Sequence, residues 1–282
     1  MSVCTRSLYL WKVASRLSSS HITPQLAEVL HRWPGGQIEL VSEGHVARLR
    51  FNRPDKNNCF SGEMMFQLGE RVQDLDKVSS CGVLVVEGVG KSFCTGGDLG
   101  LIDELSNPSS GAAMYRFMSS SLAKFRTCPL VSVARLHGHC LGGGTEIASS
   151  CDIRVAHKDT KIGFMQARLG IVPSWGAADY FASIVGRSTA LRLMTTAAMI
   201  SASEAKDIGF VDVVYDSDED FEEFISSMLK HGAEVCRAQK AMVRAVENGN
   251  EDEKLDVVRS VWGGPAQKNA IMKQMDALKQ KK

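Results

Sequence analysis

"HGHCLGGGTEIASSCDIRVA", residues 137–156, sets three consecutive glycines, Gly142–Gly144, beside one acidic residue, Glu146, and follows them with an uncharged run up to Asp152. The stretch before it, "LVSVARL" (130–136), is an apolar run of strand length; "TEIASS" opens a helix, and "DIRVA" (152–156) reads as another strand. Strand, glycine loop, helix and strand in that order make a parallel α/β unit. The glycines let a ligand atom lie against main-chain N–H groups, and a helix that begins near Thr145 adds its positive end.

The same arrangement stands upstream. "GVLVVEGV" (82–89) is a short buried strand, and "GKSFCTGGDLG" (90–100) is its loop. Two N–H groups from separate loops converging on one oxygen form an oxyanion hole, which is chemistry for a carbonyl. Taken singly, either loop is equally a plain tight turn. Neither has the G-x-G-x-x-G or G-x-x-x-x-G-K-[ST] spacing, so cradling of nucleotide phosphates is not indicated.

Working outward, a surface helix and the turn "WPGG" (33–36) precede "QIELV" (37–41) and "HVARLRF" (45–51), which read as a strand pair broken by "RPDKNN". Ser61 then leads a helix whose Met64, Met65, Leu68, Val72 and Leu75 fall at helical spacing. A helix is expected over 112–126, another after "VPSWG", and a short one in "SASEAKDIGFVDVV" (201–214), with Ser203 as its cap and Gly209 at its end. From about Asp218 the chain reads as helix alone. The expected organisation is a leader over 1–30, a mainly parallel α/β core over 31–217 and a C-terminal helical subdomain over 218–282, suited to packing on the core or on another subunit.

Bulk properties narrow the ligand. In 282 residues, 33 Lys and Arg face 32 Asp and Glu, so no large field attracts nucleic acid or an anionic membrane, and a small molecule is the expected partner. Eight scattered cysteines (Cys4, Cys59, Cys81, Cys94, Cys128, Cys140, Cys151 and Cys236) without a C-x-x-C pair point to reduced thiols. His137 and His139 lack a third ligand at metal spacing. No run approaches the roughly 20 apolar residues of a membrane span. The first residues, with Arg6, Lys12, Arg16 and no acid before Glu28, have the look of a transit peptide, or of a loosely helical leader.

"FNRPDKNNCFS" (51–61), "KSFCTGGDL" (91–99), residues 137–156, "IGFMQARLGIVPSWG" (162–176) and 201–214 stand in the order and spacing of the crotonase (enoyl-CoA hydratase/isomerase) superfamily, which the chain resembles over about 37–215. The resemblance implies a repeated ββα spiral core, acyl-CoA thioesters as substrates, no metal or organic cofactor, and assembly as trimers or pairs of trimers. Carried over position by position, it makes Gly97 and Gly143 the two N–H donors to the thioester oxygen. Lys56, Asn57, Asn58, Asp98 and Leu99 would border the CoA moiety, Asp98 being as readily a purely structural acid. Trp175 would stand at the pocket wall or in the core, with His137 and His139 supporting the loop from behind. The family's relatives are cytosolic, whereas the basic leader would suit the mitochondrial matrix.

The family's hydratases use two glutamates as a general acid/base pair. The first matches Glu146. The second would stand seven residues before Pro173, and that position is Gln166, which exchanges no proton near neutral pH. Decarboxylation of a malonyl-type thioester needs less: loss of CO2 leaves an enolate whose oxygen an oxyanion hole stabilises. Gln166 would orient the leaving carboxylate without repelling it, and Glu146 would either reprotonate the enolate or fix the second loop. The shorter motifs "WPGG", "PSWG" (173–176) and "VWGGPA" (261–266) resemble the branch of the superfamily that decarboxylates ethylmalonyl-CoA and, more slowly, methylmalonyl-CoA, a metabolite-proofreading task. The alternatives are a hydratase or isomerase working with one carboxylate, and a non-catalytic member that binds, for instance, RNA.

Overall fold

The computed structural model describes residues 22–78 and 80–280. Helix α1 (Pro24–His31) is followed by the hairpin β1 (Gln37–Glu43) and β2 (Val46–Asn52), then α2 (Gly62–Gln73) and β3 (Val83–Gly88). Next come α3 (Leu99–Glu104), α4 (Pro108–Thr127), β4 (Val131–Leu136), β5 (His139–Leu141), α5 (Gly143–Ser150), β6 (Ile153–His157) and β7 (Lys161–Gly163). Helices α6 (Ala178–Val185) and α7 (Arg187–Thr196), β8 (Ile200–Ser201), α8 (Ala202–Asp207) and β9 (Val213–Tyr215) close the sheets. The chain finishes with α9 (Asp218–Leu229), α10 (Ala233–Glu247), α11 (Glu251–Val261) and α12 (Pro265–Gln280).

The larger sheet has the order β1-β2-β3-β4-β6-β9, antiparallel only between β1 and β2. A smaller sheet, β5-β7-β8, takes one short strand from each later turn of the chain, with β5 and β7 parallel. An isolated bridge from Cys94 to Cys140 brings the first glycine loop alongside β5. The chain thus spirals between the two sheets, strand, strand and helix, as the crotonase fold does. The runs "VLVVEG" and "VSVARL" are apolar on both faces because both faces are covered, the usual condition of parallel strands. Leu84, Val86, Ala134 and Leu136 pack in the main core with α2 and α4, while Val83, Val85, Val133 and Val155 meet Phe221 and Ile225 of α9.

Several boundaries differ from the sequence reading, each for a local reason. Helix α4 begins at Pro108 and not at 112, because Asn107 accepts the N–H of Ser110 and proline suits the first helical position. Ser201, not Ser203, caps α8: its Oγ accepts Glu204 N at 3.2 Å while Glu204 Oε2 accepts Ser201 N at 2.8 Å, a reciprocal capping box. Ser203 has Lys206 three residues on, which cannot return such a bond. Of the expected leader, residues 1–21 lie outside the described residues, and so does its targeting role. Its last part instead forms α1, which buries Leu26 and Leu30 in the main core. At the other end, α9 and α10 pack on the sheet, whereas α11 and α12 bury no side chain and leave Val258, Trp262, Ile271 and Met272 exposed. No helix among the described residues is long and apolar enough to cross a membrane.

Candidate active site

The two glycine loops meet. Cys94 N donates to His139 O at 3.1 Å and Leu141 N to Cys94 O at 2.9 Å, which locks the loops side by side. Gly142 has φ +55°, a conformation open to glycine, and so turns β5 sharply into α5. A methyl group on Gly96 would stand 3.1 Å from Gly143 N, so the loops touch at the point where the two donors lie. Among the described residues, neither Gly97 N–H nor Gly143 N–H donates to protein, and Gly143 is the first residue of a helix, where amides have no partner within the helix. Both glycines face a cavity of about 550 Å3.

Trp175 closes the cavity from behind. Its indole, 2% exposed, lies flat enough on Gly143 that a methyl there would sit 2.6 Å from Cζ3, and its ring packs 5.5 Å from that of Phe60. Glycine at 143 is therefore required by proximity and not by backbone torsion.

Glu146 lies one turn into α5, 1% exposed, and is held by four donors. Oε2 accepts Trp175 N at 2.8 Å and Ala177 N at 3.3 Å; Oε1 accepts Ser174 N at 3.1 Å and Gln166 Nε2 at 3.0 Å. The carboxylate fastens the 173–177 turn, and with it Trp175, to the second loop. Burial pushes its pKa up to about 7 against the pull of those hydrogen bonds. Gln166, 6% exposed, is its side-chain partner, and Gln166 Oε1 has no hydrogen-bond partner. The other carboxylate on the cavity wall, Asp98, is committed elsewhere: Oδ2 pairs with Arg53 Nη1 at 2.9 Å and Oδ1 caps α3 through Gly100 N at 3.1 Å.

Eight of the ten residues singled out from the sequence therefore share one cavity wall: Lys56, Gly97, Asp98, Leu99, Gly143, Glu146, Gln166 and Trp175. Asn57 and Asn58 do not line it. Asn58 is fully buried and spends its amide on the loop, donating to Val89 O and Ser92 O and accepting Arg53 N. Asn57 is exposed, and its carbonyl accepts from Thr95 at 3.4 Å. Behind the loops, His137 Nε2 meets Gly90 O at 3.1 Å. Among the described residues no three His, Cys, Asp or Glu side chains are grouped to hold a metal. Cys4 is outside the described residues; the other seven cysteines are free thiols.

Sequence reasoning missed the apolar and cationic parts of the wall. Ile102, Met165, Leu169 and Ile171 face the cavity, as does Arg168, whose Nη2 donates to Ala197 O at 3.0 Å. Leu99, Ile102, Leu169 and Ile171 also border an adjoining apolar hollow of about 820 Å3 that reaches Leu105, Met114 and Tyr115. The only signal was the apolar content of "ARLGIV", which looks the same for a pocket lip as for a core turn.

Two unpartnered main-chain N–H groups and a buried carboxylate thus share one cavity on a ββα spiral of the crotonase type. Residues 42–282 match the enoyl-CoA hydratase/isomerase family, and the chain belongs to it. It is 34% identical to the ethylmalonyl-CoA decarboxylase of Mus musculus, over 96% of this chain and 88% of that protein. It is also 34% identical to the Homo sapiens protein of the same name, over 92% and 89%. Among solved structures, the enoyl-CoA hydratase from Thermoplasma volcanium GSS1 superposes with a TM-score of 0.75 at 25% identity, over 84% of this chain and 96% of that one.

Proposed function

We propose that this chain is a carboxy-lyase that releases CO2 from ethylmalonyl-CoA, and more slowly from methylmalonyl-CoA, giving the saturated acyl-CoA. One observation carries the reading: two unpartnered amides, Gly97 N–H and Gly143 N–H, open on a cavity whose buried acid, Glu146, is paired with an amide where a second carboxylate would serve hydration. The names of the relatives that align over most of the chain support it.

The chemistry is a heterolysis. The bond between the α-carbon and the carboxylate breaks, its electron pair enters the thioester as an enolate, and the enolate oxygen gathers charge between the two amides. Each such donor is worth about 3 to 4 kcal/mol of barrier. Ile102, Met165, Leu169 and Ile171 make a wall that solvates the leaving carboxylate poorly, so the neutral CO2 is favoured over the charged group. A proton then reaches the α-carbon, with Glu146 as its source directly or through water. No metal or organic cofactor takes part in this scheme. The role that follows is metabolite proofreading in the cytosol, by an assembly of trimers, on a branched dicarboxylic acyl-CoA formed by a carboxylase's side activity.

Purified protein given ethylmalonyl-CoA, methylmalonyl-CoA and crotonyl-CoA tests this. CO2 release from the first, exceeding that from the second, is the expected result. Hydration of crotonyl-CoA without CO2 release from either malonyl-type substrate would overturn it in favour of a one-carboxylate hydratase.

A further inference from the structure

The apolar hollow beside the active-site cavity is larger than an ethyl group requires. At about 820 Å3 it exceeds the cavity itself, at about 550 Å3, and both lie in the size range of small-molecule sites. Four side chains, Leu99, Ile102, Leu169 and Ile171, stand on the border and line both spaces. That border lies at the reacting centre. A methyl on Gly97, one of the two unpartnered donors, would sit 3.0 Å from Ile102 Cδ1, and Ser174, which also lines both spaces, donates its N–H to Glu146 Oε1 at 3.1 Å.

The two spaces differ in charge. The cavity wall carries Lys56 and Arg168, whereas the hollow has no Lys, Arg or His among the described residues and a single acid, the exposed Asp103. Phosphates of a CoA moiety therefore belong on the cavity side, and a free carboxylate gains nothing in the hollow. What the hollow suits is uncharged chain. Its inner surface is Leu105 and Met114, both buried, and its outer lip is Tyr115 and Val172, both exposed. Exposed apolar side chains gathered around one concave space, rather than scattered, mark a binding surface. Gly111 of α4 lines it too, and nothing stands within 4 Å of where a Cβ would be, so the helix leaves room there.

Resting on the decarboxylase reading, we propose that the hollow is a subsite for the alkyl arm on the α-carbon, and that the substrates extend to alkylmalonyl thioesters with arms longer than ethyl, such as butyl and hexyl. The α-carbon of such a substrate carries a hydrogen, a carboxylate and the alkyl arm. With the thioester oxygen between Gly97 and Gly143, the arm passes Ile102 and Leu169 into the hollow, toward Gly111 and Met114. An ethyl arm is too short to fill it. Each further methylene that enters is withdrawn from water and tightens binding by up to about fourfold, the equivalent of about 0.8 kcal/mol.

Butyryl-, hexanoyl- and octanoyl-CoA are the products expected from ethyl-, butyl- and hexylmalonyl-CoA, and their dissociation constants, measured by calorimetry, read the hollow without turnover. In the unaltered protein the constant should fall about two- to fourfold per methylene along that series, in parallel with a rise in kcat/KM for CO2 release from ethyl- to hexylmalonyl-CoA. Gly111→Phe, which fills the hollow from an open helix position, should level both series at their butyryl- and ethylmalonyl-CoA values. An affinity that is flat or weakens with chain length in the unaltered protein would overturn the proposal, as would a graded series that Gly111→Phe leaves intact. If a second copy of the chain covers the hollow instead, Gly111→Phe will weaken self-association in sedimentation while the series is flat, and that outcome also overturns it. A graded affinity series without CO2 release from any alkylmalonyl-CoA would sink the decarboxylase reading and leave the subsite standing.

Discussion

Replacing Gly143 with alanine separates two quantities at one atom. Position 143 opens α5 and its φ is not in the left-handed region, so the backbone tolerates alanine, and in a helix the exchange alone would stabilise by up to about 1 kcal/mol. Packing opposes it. The new methyl would stand 2.6 Å from Trp175 Cζ3 and 2.7 Å from Cε3 and Cη2, closer than carbon atoms approach, and the indole is buried against Phe60 on a residue whose backbone N–H is held by Glu146 Oε2 at 2.8 Å. Overpacking of this kind costs about 1 to 3 kcal/mol, so net destabilisation is expected. On the proposed mechanism the shift also moves the Gly143 amide off the enolate oxygen, so kcat for CO2 release should fall about 100- to 1,000-fold. Urea unfolding and a CO2-release assay read the two effects. Trp175→Phe removes the six-membered ring that the methyl meets, so the double variant should recover stability in a double-mutant cycle. Gly111→Ala in α4, where a methyl meets nothing within 4 Å, should stabilise by up to about 1 kcal/mol and serves as the propensity control. Full activity and unchanged stability in Gly143→Ala would refute the placement of both the indole and the donor.

Other consequences can be measured directly. Because folding raises the Glu146 pKa from 4.5 to about 7, the stability this group contributes is complete below pH 4.5 and lost as pH rises through 7, a swing of about 3 kcal/mol; the stability difference between Glu146→Gln and the unaltered protein should move by that amount in favour of the variant between pH 4.5 and 8. A pH-independent difference in denaturant unfolding would contradict it. Gln166→Glu places two carboxyls within hydrogen-bond reach, where both cannot ionise cheaply, and adds like charge near the leaving carboxylate; CO2 release at pH 8 should drop about 10- to 100-fold, and undiminished turnover would count against the repulsion argument. Lys240 Nζ, buried, meets Asp152 Oδ2, Phe125 O and Leu130 O, each at 2.7 Å, so Lys240→Met should cost about 3 to 5 kcal/mol in chemical denaturation, with near-neutral stability as the disproof.

The sequence by itself determined the order of strands and helices, because parallel strands covered on both faces must be apolar throughout and glycine loops must follow them. It also named the two glycines that share the cavity wall, Gly97 and Gly143, and the acid–amide pair of Glu146 and Gln166, since each sits at a fixed offset from a glycine or proline that the backbone needs. The cap of α8 was not settled by sequence: Ser203 and Ser201 both suit the role, and only the return bond from Glu204 to Ser201 N decides for Ser201. What only the tertiary structure decided was reach. Whether Asn58 faces a ligand or ties a loop depends on carbonyls at 89 and 92, some 30 residues away, and no local pattern records them. The same holds for Trp175 pressed on Gly143 and for the four donors that gather on Glu146, three of them backbone amides whose direction exists only once the 173–177 turn has folded against α5. Side-chain type is written in the chain, but burial and the aim of an N–H arise from contacts between distant segments.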